Sequence, residues 1–65
     1  MPKYEMIEVQ LTGNDGNAFA IMGAVSKALR KGGVPANEVE EYVSESMSGD
    51  YNNLLRVAMN WVTVH

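Results

Sequence analysis

Residues 13–33 read GNDGNAFAIMGAVSKALRKGG, a glycine-punctuated turn that launches a helix and a glycine pair that stops it. Ala18, Ile21, Met22, Val25, Ala28 and Leu29 recur at the i, i+3, i+4, i+7 spacing that lines one helical face. Asp15 or Asn17 is placed to cap the start, where a side-chain oxygen accepts from otherwise unpaired backbone N–H groups. Lys27, Arg30 and Lys31 gather in the last turns, beside the negative end of the helix dipole, and Gly32 suits the C′ position. Gly23 lies off the apolar stripe, where glycine costs about 1 kcal/mol relative to alanine.

Toward the N-terminus, residues 4–11 alternate. Ile7, Val9 and Leu11 share one face, with Glu5 at its edge, and Met6, Glu8 and Gln10 share the other, which is the period of a half-buried strand. Pro2 precedes this strand and disturbs no ladder. Toward the C-terminus, Pro35 opens a second helix running from Ala36 to about Met47. Val39, Val43 and Met47 recur along it every fourth residue, with Tyr42 and Ser46 on the same side. Glu38, Glu41 and Glu45 form a separate row. Ser48, Gly49 and Asp50 break this helix, and Ser48 or Asp50 can cap a third, whose buried face is expected at Tyr51, Leu54, Leu55 and Ala58. Trp61, Val62, Thr63 and Val64 read as a short closing strand.

The expected fold is α+β, in the order β-α-α-α-β, with about three helices packed on a two-stranded sheet. The strand residues do not encode the pairing direction. Antiparallel pairing is expected on base rates, since such pairs outnumber parallel ones about two- to three-fold. With 65 residues the chain forms a single domain, and one of this size buries only about 60% of its unfolded surface, so stability is marginal. The hydrophobic fraction of 46% is too high for intrinsic disorder. There is no cysteine to form a disulfide or thiolate site. No apolar run reaches the roughly 18 residues of a membrane span, and residues 1–11 lack the apolar core of a secretory signal. A cytoplasmic protein, monomeric and not membrane-bound, is the resulting expectation.

The net charge of -3 argues against direct binding of nucleic acid, whose phosphates are held by Lys and Arg. It points to protein partners with basic surfaces. The turn of Gly13, Asn14, Asp15, Gly16 and Asn17 follows a strand and precedes a helix, where backbone amides could cradle an anion. It lacks the P-loop lysine and the dinucleotide spacing, and Asp15 opposes phosphate, so turn and cap is the better reading. It also lacks the glutamate that completes a calcium loop, so no metal is expected there. His65, the only histidine, is the last residue and is poorly held for a general base. No catalytic residue and no cofactor follow from the sequence.

The acids of the second helix are an ordinary solvated face on one reading. On the other they are a recognition surface, because Glu38, Glu40, Glu41, Glu45 and Asp50 occur with no Lys or Arg between Glu38 and Asp50. A concentrated negative face steers basic partners and competes with a nucleic-acid backbone for one protein site. Tyr4, Tyr42, Tyr51 and Trp61 are needed first for the core. Tyr42, lying beside the acidic row, is assigned to the interface together with Glu38, Glu41, Glu45 and Asp50.

At GNDGNAFAIMGAVSKALRKGGV, SGDYNNLL and NWVTV the chain resembles small uncharacterised proteins of bacteria, prophages and phages. In size, charge and lack of a catalytic constellation it is similar to anti-CRISPR inhibitors. That resemblance implies a non-enzymatic, phage-derived inhibitor that binds a bacterial defence complex where it would hold DNA, and it carries over no site residue. The alternatives are a small-anion or phosphate module using the Gly13–Asn17 turn, and an assembly protein pairing through a strand edge.

Overall fold

The computed structural model describes residues 2–11 and 17–65. Its elements follow the expected order: β1 (Tyr4–Val9), α1 (Ala18–Lys31), α2 (Ala36–Ser46), α3 (Tyr51–Trp61) and β2 (Val62–Val64). The anion reading of the 13–17 turn rests on residues 13–16, which with a cap at Asp15 lie outside the described residues.

Each helix boundary has a local cause. The Asn17 side chain accepts from the Phe19 N–H at 2.8 Å and so caps α1. At the other end Gly33 donates to the Arg30 carbonyl and Val34 to that of Leu29, at 3.1 and 3.0 Å. This Schellman pattern places the left-handed residue at Gly33, with φ of 87°, one position beyond the expected Gly32. It also brings Val34 back onto Leu29 in the core. Gly32 is closely approached by β1: a Cβ there would lie 2.6 Å from the Ile7 Cδ1, so the tip of that side chain would have to move. Pro35 starts α2 by offering its carbonyl to Glu38 and Val39. The Asp50 carboxylate starts α3 by accepting from the Asn53 N–H at 2.9 Å.

β1 and β2 pair in parallel, not antiparallel as expected. The excess of antiparallel pairs comes from strands joined by short hairpins, whereas a parallel pair needs a long, usually helical, crossover. Three helices separate these strands, so the helical crossover, not the general base rate, was the relevant guide. The register matches Tyr4 with Val62, Glu8 with Thr63 and Val9 with Val64. Between Tyr4 and Glu8 the first strand therefore bulges, while the second advances by one residue. The Thr63 hydroxyl bridges this irregular stretch by donating to the Glu5 carbonyl at 2.8 Å. Beyond it, His65 N–H donates to the Val9 carbonyl and Leu11 N–H to that of His65, at 3.0 and 2.6 Å.

The main core gathers Val9, Val25, Leu29, Val39, Tyr42, Trp61 and Val62, with Ile7 and Leu11 half-buried against it. A smaller cluster of Ile21, Met22 and Leu54 joins α1 to α3. The expected inward faces of β1 and α1 are the observed ones. That of α2 differs, its buried side chains being Val39, Tyr42 and Ser46, while Val43 is half-buried and Met47 exposed. Successive i+4 steps drift by about 40° each, so Met47 stands roughly 80° from Val39, whereas Ser46 stands within about 20° of it. On α3, Leu54 and Ala58 are buried as expected, Leu55 is half-buried and Tyr51 is exposed. Trp61 ends α3 instead of opening β2.

Candidate functional site

The acids of α2 and the residue capping α3 were the sequence's candidates, and the fold divides them. Glu38 lies in the first turn of α2, where a carboxylate is favoured by the helix dipole. It is half-buried and satisfied within the molecule: the Tyr4 hydroxyl donates to its Oε1, and Lys3 Nζ lies 3.1 Å from the same atom. The Tyr4 hydrogen bond, then that of Lys3, holds its carboxyl below the ordinary value. Glu38 therefore ties β1 to α2.

Lys3 has a second role in this tie. Its ammonium sits 4.6 Å from the centre of the Trp61 ring, and the Tyr4 ring stacks on Trp61 at 6.1 Å. Trp61 also meets the Tyr42 ring in a T-shaped contact at 5.9 Å. Tyr42 is fully buried. Its assignment to the interface is thus corrected: residue 42 falls on the core stripe of α2, one turn from Val39, and not on the solvent row of acids. No sequence pattern announced the Lys3–Glu38 and Lys3–Trp61 contacts, which link residues separated by 35 and 58 positions in the chain.

Glu40, Glu41, Glu45 and Asp50 are exposed, and among the described residues none of them forms an ion pair. Glu45 accepts from the Trp61 indole N–H at 3.2 Å. Its own carbonyl takes the Ser48 hydroxyl and the Asn53 amide, which closes the end of α2. No basic residue lies in that last turn, so Glu45 faces the negative end of the helix dipole. Lys27, Arg30 and Arg56 neutralise none of these acids among the described residues.

Beside the acids, where the start of α1, the end of α2 and the start of α3 meet, lies an open groove of ≈ 240 Å³. Its walls are mainly apolar and include Phe19, Met22, Met47, Tyr51 and Leu54, with Asp50 at the rim and Ser46 among the lining residues. Phe19 and Met47 are 74% and 62% exposed, unusual for side chains of their size. Sequence reading gave Met47 and Tyr51 to the core and so missed the groove. The signal available was the position of Met47 at the drifting end of the i+4 row.

Among the described residues no group of three or more His, Cys, Asp or Glu side chains is arranged to hold a metal ion. No helix of the described residues is long and apolar enough to cross a membrane. No protein-family model, curated protein or solved structure matches this chain.

Proposed function

We propose that this is a non-enzymatic binding protein whose exposed α2 face engages a basic surface on a protein or nucleoprotein partner. One observation carries the reading: Glu40, Glu41 and Glu45 are exposed and none of them forms an ion pair among the described residues, on a helix whose remaining acid, Glu38, is already paired. In its finer form, the protein is a phage-derived inhibitor of the anti-CRISPR type, acting in a bacterial cytoplasm. Its carboxylates would take the place of DNA phosphates on a defence complex. The charge of α2 supports that form through competition for one basic site. The strand-edge reading draws less support, because a three-residue β2 and a bulged β1 are features that blunt a sheet edge.

The test is affinity capture from bacterial lysate with mass-spectrometric identification, run side by side with Glu40→Lys/Glu41→Lys. Both positions are exposed and outside any ion pair among the described residues, so the variant should keep its circular dichroism spectrum and melting temperature. The captured partner should be lost in the variant, and its binding to the parent protein should weaken with added salt. Equal capture by both proteins would refute the reading.

A further inference from the structure

We propose that the groove between the ends of α1, α2 and α3 seats one bulky apolar side chain of a basic amphipathic segment presented by the partner. This rests on the reading of α2 as the basic-partner face and extends it to the shape of the partner.

Size sets the first limit. At ≈ 240 Å³ the groove falls below the roughly 300–1,000 Å³ of small-molecule pockets and suits a single large side chain. Chemistry sets the second. Phe19, Met47 and Tyr51 expose apolar surface around it, and methionine and aromatic walls adapt to an inserted side chain. Charge sets the third: Asp50 is on the rim and Glu45 immediately precedes Ser46 along α2, both exposed and neither in an ion pair among the described residues. An apolar seat with exposed carboxylates beside it that no cation neutralises among the described residues fits a segment with one apolar face and lysines or arginines beside it.

The test uses the full chain and four synthetic probes: a leucine–lysine amphipathic helical peptide, the same peptide with tryptophan at its central apolar position, a scrambled version, and oligolysine of equal charge. Affinities are read by fluorescence anisotropy of labelled peptides, and the binding place by NMR shifts of the Met22 and Met47 methyl groups. The amphipathic peptides should bind at least tenfold more tightly than the scramble and oligolysine, with both methyl groups shifting. Phe19→Glu and Met47→Glu, substitutions at exposed positions that should leave the fold intact by circular dichroism, should remove that advantage.

Oligolysine binding as tightly as the amphipathic peptides would overturn the groove proposal and leave the acidic-face reading standing. Binding of no probe, with lysate capture still lost in Glu40→Lys/Glu41→Lys, would do the same. A dimer by sedimentation that Phe19→Glu abolishes would overturn the proposal in favour of a second copy as the occupant.

Discussion

Tyr42 meets Trp61 edge to face, with ring centres 5.9 Å apart and planes inclined by 72°. The contact fixes the tyrosine ring fully inside the core, where its hydroxyl lies near that of Ser46 one turn later, but neither makes a well-formed hydrogen bond among the described residues. A buried polar group without a partner costs about 1–3 kcal/mol. Tyr42→Phe keeps the ring and removes the burden. It should stabilise the protein by about 1 kcal/mol, a rise of roughly 4–8 °C in melting temperature for a domain this small. A fall in melting temperature would show that the hydroxyl is satisfied in solution.

Two glycines should respond to alanine in opposite directions. Gly23 is exposed inside α1, with nothing within 4 Å of an added Cβ, so Gly23→Ala should stabilise by about 0.8–1 kcal/mol. Gly33 has equally open space but holds φ at 87°, and Gly33→Ala should destabilise by about 1–2 kcal/mol through the backbone alone. Urea midpoints of the two variants check the pair. Equal shifts of one sign would contradict this account of the α1 terminus.

Glu38 sets the acid limb of stability. Its carboxyl is held below the ordinary 4.5 by the Tyr4 hydroxyl and then by Lys3, so folding favours the charged form. That contribution is complete above the ordinary value and disappears as pH falls through the lower, folded one. Urea midpoints should therefore decline as pH drops from about 5 toward 3, and Glu38→Gln should flatten the decline. An unchanged slope in that variant would assign acid sensitivity to other carboxylates.

The alkaline limb has three contributors of the same sign. Tyr4 is raised above 10.0 and Lys3 above 10.5, each chiefly by its hydrogen bond to Glu38, and burial raises Tyr42 above 10.0. All three favour the folded state in protonated form, so their contribution is complete below about pH 10 and fades above it. Tyr42→Phe should lessen the loss above about pH 10, as measured by circular dichroism across an alkaline titration.

The sequence was most legible where a local period governs the structure. The stripe from Ala18 to Leu29, the alternation of Ile7 and Val9 and the cap at Asp50 all appear where spacing and capping chemistry put them. It was least legible where distant residues decide. The parallel register of Tyr4 with Val62 depends on how three helices return the chain, and the pairing of Glu38 with Lys3 depends on that register. Tyr42 and Met47 show an intermediate failure: the helix was read correctly but its angular drift was not. That drift exchanged a tyrosine assigned to the surface for a methionine assigned to the core, and the groove went with it.

The parallel pairing of β1 with β2 also has a consequence in time. The strand synthesised first must wait for the one synthesised last, since residues 62–64 are its sole ladder partner among the described residues. At about 5–20 residues per second the interval is roughly 3–10 s. Throughout it Ile7 and Val9 have no mate, and a nascent chain halted before Val62 would hold its helices without the clasp that joins its two ends.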